Sequence, residues 1–450
     1  MTDSIADRAT GESPGFVNRI LRPFQQFVAT ESAGGLLLIV SATLGLAWAN
    51  SPHGSTYFAL WDWSFTIGPE GFALTKPLSH WINDGLMVLF FLLVGLEIKR
   101  EVFVGELSST QHAALPIAAA LGGMIVPAAI YAAINAGGAG ARGWGIPMAT
   151  DIAFALGVLS ILGNRIPTGL RLFLAALAIV DDIGAVVVIA LFYTTQLSAP
   201  AAGIAVAVFV LLLLCNRGGI RHPGIYAGLG ALLWLAVLKS GVHPTIAGVL
   251  LAIAIPARTR VDEDTFGLRA ESALFDFRQA SSPDAHSVMS NPGQQEALHH
   301  LERAIEGVQS PLLRIEHNLN RVVAFGVVPL FAFANAGVRF SAEMFSSLSW
   351  RVLLGVVLGL VVGKVTGIFL ASRLGVRQGI AALPPQVTWR SVFGVGWLGG
   401  IGFTMSLFIA TLAFGYGPQL DSAKVGILLG SVVSTCVGTT ILRKLPRATE

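Results

Sequence analysis

The chain has 450 residues, of which 54% are hydrophobic and only 12% are charged, with a formal net charge of +3. Ordinary soluble domains hold about 25% charged residues, so this composition excludes a soluble globular protein and indicates an all-α polytopic membrane protein. The small basic excess predicts no nucleic-acid partner, because the basic residues lie at the ends of apolar segments. Cys215 and Cys436 lack the spacing of metal ligands and are predicted to be free thiols.

Apolar runs long enough to cross a bilayer as helices recur along the chain, and about twelve of them are predicted. Ahead of them, residues 1–32 are predicted to form a cytoplasmic amphipathic segment, because Phe16, Ile20, Phe24 and Phe27 are spaced like one helix face. The predicted transmembrane spans cover residues 33–49, 80–97, 113–135, 148–163, 169–193, 201–216, 224–239, 243–256, 318–338, 352–372, 391–415 and 422–442.

Two polar interruptions divide the apolar spans. Residues 50–79 contain "FTIGPEGFALT", in which two short β-prone runs flank a turn, and this pattern predicts a hairpin. Residues 258–316 hold six Arg and ten Asp or Glu, which predicts a solvated loop with one amphipathic helix in "QQEALHHLERAIEGVQS". The resulting plan comprises eight transmembrane helices in 33–257, a charged cytoplasmic loop in 258–316, four helices in 317–443 and a cytoplasmic tail in 444–450.

The distribution of basic residues predicts the orientation of the chain. If the N-terminus lies inside and the segments alternate, inside segments carry 22 Lys or Arg residues and outside segments carry six. Basic residues concentrate on the cytoplasmic side of membrane proteins. Both termini are therefore predicted to be cytoplasmic, and the hairpin at 50–79 is predicted to be periplasmic or extracellular.

Four ionisable residues lie deep in apolar spans, where hydrophobicity does not explain them: Asp151, Asp181, Asp182 and Lys364. Each costs about 2.5–3.5 kcal/mol at a helix centre on insertion scales. A buried ion pair that only holds helices together is one explanation. However, one lysine can pair with only one of three acids, so at least two acids are left to bind a proton, a cation or polar backbone.

The adjacent acids Asp181 and Asp182 project about 100° apart on a helix. One of them can therefore pair with Lys364 while the other faces a water-filled cavity. Burial and a neighbouring like charge both favour a protonated carboxyl group, whereas ionised carboxylate oxygens are hard ligands for a small hard cation. Proton and cation then compete for the same atoms, and competition at a site that faces each side alternately produces antiport.

Two spans contain features that interrupt a helix. Pro147 removes a backbone donor, and Thr150 with Asp151 can cap a new helix. In the second half, "GWLGGIGFTMSLFIA" clusters glycines near the middle of a span, although close packing of helices would also favour such glycines. A pair of interrupted helices predicts inverted-topology repeats that cross at the membrane midplane. The central glycines of the second interruption are Gly399, Gly400 and Gly402.

Several long motifs occur between about residues 79 and 417: "LSHWINDGLMVLFFLLVGLEIKRE", "MATDIAFALGVL", "LAIVDDIGAVVVIAL", "GVHPTIAGVL", "PLFAFANAG", "GKVTGIFL" and "GGIGFTMSLFIATLAFG". Together they resemble the NhaA family of sodium/proton antiporters, in family order. The resemblance implies a transporter of the cell (inner) membrane, not an enzyme, that needs no cofactor. It implies export of Na⁺ or Li⁺ in exchange for inward H⁺, electrogenic and activated at alkaline pH.

The resemblance also implies individual roles for the buried charges. Asp182 matches the principal cation-binding aspartate, and Asp181 matches the aspartate that pairs with the lysine, here Lys364. Asp151, with Thr150, matches the acid at the crossing of the unwound segments. There it compensates the positive N-termini of the half-helices, while Lys364 faces their negative C-termini.

Two charged groups resemble the cytoplasmic pH-sensing cluster of the family, although an ordinary charged membrane border has the same composition. The hairpin at 50–79 resembles the dimerisation hairpin of the family, which implies a homodimer. The candidate pH-sensing residues are Glu97, Lys99, Arg100, Glu101, Glu316 and His317.

Two other classes of membrane protein are alternatives. An intramembrane aspartyl protease needs two acids on separate helices, one of them in a Gly-x-Gly-Asp context, whereas Asp151 follows Ala-Thr and Asp181 follows Ile-Val. The buried lysine also has no role in protease chemistry. A passive cation channel needs no acids that bind and release protons.

Overall fold

The computed structural model describes residues 32–68, 73–194, 197–257, 262–281, 288 and 291–445. The predicted amphipathic segment up to residue 31, the tip of the 50–79 hairpin, parts of the 258–316 loop and most of the tail at 444–450 lie outside these residues. Within them the protein is mainly helical, as predicted, with one two-stranded sheet.

The first half of the chain consists of membrane helices interrupted by the hairpin. Two antiparallel strands, β1 (Ser64–Ile67) and β2 (Leu74–Pro77), pair in the register Ser64 to Pro77 and Ile67 to Leu74. The helices are α1 (Ser32–Ala49), α2 (Gly54–Asp62), α3 (Leu78–Val104), α4 (Thr110–Asn135), α5 (Ile152–Leu162), α6 (Thr168–Phe192), α7 (Ala199–Arg217), α8 (Pro223–Ser240) and α9 (Ile246–Ala254).

The second half begins with the charged loop and ends in four apolar segments. Helices α12 and α13 of this half are continuous through a π-helical turn, Val323–Val327. The helices are α10 (Glu263–Gln279), α11 (Pro292–Val308), α12 (Pro311–Val322), α13 (Val328–Asn335), α14 (Ala342–Ser347), α15 (Trp350–Arg377), α16 (Trp389–Gly399), α17 (Phe403–Phe414) and α18 (Pro418–Arg443).

The predicted number of about twelve spans is not confirmed. Eight helices of the described chain are long and apolar enough to cross a membrane, and two bent pairs raise the number to ten. The predicted span at 243–256 forms only the nine-residue helix α9, because Pro244 and Pro256 bound it and proline does not continue a helix. The predicted span at 318–338 lies mostly in the continuous helical segment of α12 and α13. This segment is not among the helices that are long and apolar enough to cross a membrane.

The charged loop contains more structure than predicted. The predicted amphipathic helix is α11, and a second helix, α10, packs against it. Asp262 caps α10 by accepting a hydrogen bond from Thr265 N at 2.8 Å. Asn291 caps α11 by accepting from Gly293 N and Gln294 N. The sequence does carry a signal for α10, because Phe266, Ala270, Ala273, Leu274 and Phe277 recur at helical spacing.

A close helix crossing joins α4 to α15 and positions the buried lysine. A Cβ added at Gly367 would lie 2.2 Å from Gly122 O, so only glycine permits this approach of the two backbones. One turn earlier, Gly363 lies against Pro127 in the same way. Small residues four positions apart let membrane helices approach closely, and Lys364 lies within this contact.

Candidate functional site

The site is built where two interrupted helices meet. In the first, a 3₁₀ segment, Ala141–Met148, leads into extended backbone, and α5 begins at Ile152. In the second, α16 ends at Gly399, and α17 begins at Phe403 after a bend of 43°. Pro147 and the glycine cluster predict these two interruptions. Each leaves backbone groups that a continuous helix would have paired internally.

The two interruptions satisfy each other's backbone groups. Asp151 N donates a hydrogen bond to Ile401 O at 2.7 Å, and Thr150 Oγ1 donates to Gly399 O at 2.8 Å. Ser406 Oγ donates to Ile146 O at 2.7 Å. Because unpaired backbone groups are costly in a membrane, these bonds hold the two unwound segments in direct contact.

One carboxylate caps both half-helices. Asp151 Oδ1 accepts from Phe154 N at 3.0 Å, which caps α5. Asp151 Oδ2 accepts from Thr404 N at 3.0 Å and from Thr404 Oγ1 at 2.5 Å, at the start of α17. Helix N-termini carry partial positive charge, so the buried anion, which is 2% exposed, lies where two such termini converge.

The two adjacent acids on α6 have different partners. Lys364 Nζ forms a salt bridge with Asp181 Oδ2 at 2.5 Å, and both side chains are fully buried. This is the pairing that the family resemblance implies. Asp182 is 2% exposed, and its Oδ1 has no hydrogen-bond partner; the same holds for Asp181 Oδ1. Asp182 is therefore not open to solvent in the way that the sequence predicts, and two buried carboxylate oxygens have unused acceptor capacity.

Several charges act on Asp182 together. The carboxylates of Asp181, Glu97 and Asp151 repel its negative charge, and the Lys364 ammonium attracts it. Thr150 lies beside Asp181, so its hydroxyl belongs to the same polar cluster. In the described part of the chain, no group of three or more His, Cys, Asp or Glu side chains is close enough to enclose a metal ion. A bound cation would therefore need carboxylate oxygens together with hydroxyl or backbone oxygens.

The candidate pH-sensing residues lie near the C-terminus of α3 and on α12, and they have three different environments. Arg100 forms salt bridges with Glu316 Oε1 at 2.5 Å and with Glu101 Oε1 at 3.1 Å, which connects α3 to α12. Glu97, also on α3, is close enough to interact electrostatically with Arg100 and Glu316 and with Asp182.

The remaining two candidates differ from this network. Lys99 Nζ donates to the backbone of α9, to Ile253 O at 2.7 Å and to Ile255 O at 2.5 Å, so it caps the C-terminus of that helix. His317 is exposed on the surface of α12.

Two contributors to the site are not predicted from the sequence. Thr404 supplies two of the three donors to Asp151, but a threonine in an apolar span carries no signal of its own. Its position immediately after the glycines at an expected helix start is the available clue. The glycines of α15 are the second contributor, and Gly359, Gly363 and Gly367 repeat at intervals of four residues around Lys364.

Comparison with known proteins gives consistent matches along the chain. Residues 25–442 match the protein family described as Na⁺/H⁺ antiporter 1. The Na⁺/H⁺ antiporter NhaA of Oleidesulfovibrio alaskensis is 49% identical over 440 residues, which cover 98% of each chain. The Na⁺/H⁺ antiporter NhaA of Syntrophobacter fumaroxidans is 52% identical over 427 residues, which cover 94% of this chain and 90% of the relative.

Among solved structures, the sodium proton antiporter MjNhaP1 of Methanocaldococcus jannaschii aligns with 95% of this chain and 95% of its own. The TM-score is 0.47 and the sequence identity is 13%.

Proposed function

Since the chain belongs to the NhaA family of Na⁺/H⁺ antiporters, we propose that it exports Na⁺ or Li⁺ by letting cation and proton compete for Asp182 and Asp181. The observation that carries this proposal is the pair of buried carboxylate oxygens without hydrogen-bond partners. A buried carboxylate without a partner is costly. Binding either a proton or a cation removes that cost, and the two cannot occupy the same oxygen together.

Asp151 and Lys364 are assigned supporting roles in this mechanism. Asp151 accepts hydrogen bonds on both of its oxygens from the N-termini of α5 and α17, so its assigned role is to stabilise the junction beside the pocket. Lys364 neutralises Asp181 until a second charge enters the pocket. Entry of a cation beside Asp182 weakens this salt bridge by repelling the ammonium group.

Exchange is proposed to be electrogenic. The pocket holds two adjacent acids, and each can carry one proton, whereas repulsion between like charges favours one monovalent cation at a time. A cycle that returns more protons than cations moves net charge, and it is therefore driven by the membrane potential as well as the proton gradient. Dissipating the potential with valinomycin and K⁺ should change the rate of such exchange and leave that of an electroneutral exchanger unchanged.

Activation at alkaline pH is proposed to act through the salt bridges of Arg100. The network ties α3 to α12 and reaches Asp182 through Glu97. Loss of protons from its acids at higher pH strengthens the network and alters the charge that Asp182 experiences. Lys99 is better explained as the cap of α9, because its ammonium group contacts backbone carbonyls.

The membrane arrangement is also a proposal. Both termini are placed in the cytoplasm of a bacterial cell, and the hairpin formed by β1 and β2 is placed outside, where it joins two copies of the chain. The exposed side chains of Phe65 and Ile67 on β1 support a contact with a partner.

The deciding experiment measures proton movement in everted membrane vesicles when Na⁺, Li⁺ or K⁺ is added, between about pH 6.5 and 9. We expect Na⁺ and Li⁺ to discharge the proton gradient at alkaline pH and K⁺ to do so much less. Asp182→Asn should abolish the response, because an amide carries neither the charge for a cation nor the site for a proton.

The matched control is Asp62→Asn, which removes an exposed carboxylate from α2 and should leave exchange unchanged. Full activity of Asp182→Asn would refute the assignment of that residue. An equal response to all three cations would instead favour a passive channel.

A further inference from the structure

An apolar crevice opens beside the junction of the two interrupted helices, and none of the buried acids lines it. Its cavity volume is about 310 Å³, and its walls come from α1, α5, α17 and α18 together with Ala336, which follows α13. Apolar cavities of about 150 Å³ already bind molecules as large as benzene. The crevice therefore has room for a ligand larger than one aromatic ring.

The chemistry of the walls selects an apolar ligand. Most lining side chains are hydrocarbon, and the lining hydroxyl groups are already engaged. Thr43 Oγ1 donates to Ile39 O at 2.8 Å, and Thr435 Oγ1 donates to Ser431 O at 2.7 Å. Ser431 Oγ accepts from Phe403 N at 3.2 Å. Two of the three hydroxyl groups thus donate within the protein, so the walls offer a polar or charged ligand little replacement for its lost hydration.

The position of the crevice indicates the source of the ligand. Its walls use residues 39–46 of α1 and 428–436 of α18, the central parts of two apolar helices. At its rim, Ile39 and Val432 are 40% and 61% exposed. A multi-pass membrane protein presents such mid-helix surfaces to the hydrocarbon of the bilayer. If the crevice is empty, the atoms that line it lack the dispersion contacts that a hydrocarbon chain would make with them.

We propose that this crevice binds one acyl chain of a membrane phospholipid, which packs against the first turns of both half-helices. The contact is direct, because Phe154 of α5 and Phe403 of α17 both line the crevice, and their rings meet edge to face with centroids 6.0 Å apart. Phe154 N is the group that Asp151 caps, and Phe403 precedes Thr404. The bound chain thus supports the junction from the lipid side.

The first test counts retained lipid. The protein is reconstituted with phosphatidylethanolamine and phosphatidylglycerol, extracted in mild detergent and analysed by native mass spectrometry. Thr43→Phe fills the crevice from α1 and should retain one phospholipid fewer than the wild-type protein. Leu44→Phe is the matched control, since Leu44 is exposed on the same helix but does not line the crevice. Equal lipid counts in both variants overturn the proposal.

A second test does not depend on filling the crevice during folding. Cys215→Ser leaves Cys436, a crevice residue, as the sole thiol of the chain. Attaching a dodecyl maleimide to the folded protein should raise the melting temperature in detergent by about 2 °C or more relative to ethyl maleimide. The control protein carries Cys215→Ser, Cys436→Ser and Leu429→Cys, so that its only thiol lies outside the crevice. No dependence on alkyl length at Cys436 overturns the proposal.

Two other occupants give distinct results, and each would also overturn the proposal. If a second copy of the chain fills the crevice, Thr43→Phe changes the dimer fraction and not the lipid count. If the N-terminal segment fills it, removing residues 1–31 increases the number of retained lipids.

Discussion

At the scale of single residues, the buried charges are predictable and their partners are only partly so. The sequence identifies all four buried charges, because a charged side chain in an apolar span is costly and is therefore rarely present without a function. They are Asp151, Asp181, Asp182 and Lys364. The hydrogen-bond partners of Asp151 cannot be identified in this way, since one of them is Thr404, which is 253 positions away in sequence. Burying a neutral hydroxyl in an apolar helix costs much less free energy than burying a charge, so a threonine there does not indicate a functional site.

Lys364→Ala tests the salt bridge. The variant leaves Asp181 buried without its cation, so we expect a loss of about 3–5 kcal/mol in stability and a lower melting temperature in detergent, with a changed pH profile of exchange. Asp181→Asn combined with Lys364→Met should recover most of the loss, because no unpaired charge remains. Lys239→Ala, at an exposed helix end, is the control. An unchanged melting temperature and pH profile in Lys364→Ala would contradict the role given to the lysine.

Thr404→Val tests the cap shared by the two half-helices. The substitution keeps the shape of the side chain and removes the hydroxyl that donates to Asp151 Oδ2, so about 1–3 kcal/mol should be lost. Thermal unfolding in detergent measures this loss. Thr411→Val is the matched control on the same helix, where the hydroxyl bonds only to Leu407 O one turn earlier. Equal effects of the two substitutions would show that Asp151 does not depend on Thr404.

At the scale of the elements, apolar runs locate the membrane helices, and their limits depend on local breakers. The span that carries Asp182 is predicted to within a few residues, because α6 is apolar along most of its length. Helix α9 is shorter than its predicted span, since Pro244 and Pro256 bound it. The close crossing of α4 and α15 is not predicted, because the sequence of one helix does not identify the helix that packs against it.

Gly367→Ala tests that crossing. The added methyl group would lie 2.2 Å from Gly122 O, so the helices must separate, at a cost of about 1–3 kcal/mol in stability. Lys364 lies on the same face one turn earlier and should move with α15, which should slow exchange as well. Gly228→Ala on α8 is the control, because nothing lies within 4 Å of its added Cβ. Wild-type stability and exchange in Gly367→Ala would argue against a tight crossing.

At the scale of the whole molecule, the strands that interrupt the first half are exposed. The side chains of β1 are exposed along its whole length, and its outer edge has no partner strand among the described residues. An unpaired strand edge with exposed aromatic side chains favours pairing with another chain. Hydrophobic pattern predicts the hairpin, but it does not identify a second copy as its partner.

Two changes in the hairpin test the orientation and the dimer: a single thiol at Thr66 and a deletion of the two strands. In a chain without Cys215 and Cys436, Thr66→Cys should react with a membrane-impermeant maleimide added to intact cells, because the proposed topology places the hairpin outside. Ser281→Cys, in the charged loop, should react only after the cells are opened. Deleting residues 64–77 should convert a dimer into a monomer in light scattering with detergent. Labelling of Ser281→Cys in intact cells would reverse the proposed topology.

The hydrogen bonds between the two interruptions have a consequence for biosynthesis. Translation reaches Thr404 only 253 residues after Asp151, which takes about 13 to 50 s at ordinary elongation rates. During that interval the nascent first interruption has neither Ile401 O nor the Thr404 hydroxyl within reach. The membrane insertion machinery, water or a neighbouring helix must therefore shelter Asp151 until the ribosome has delivered the other half.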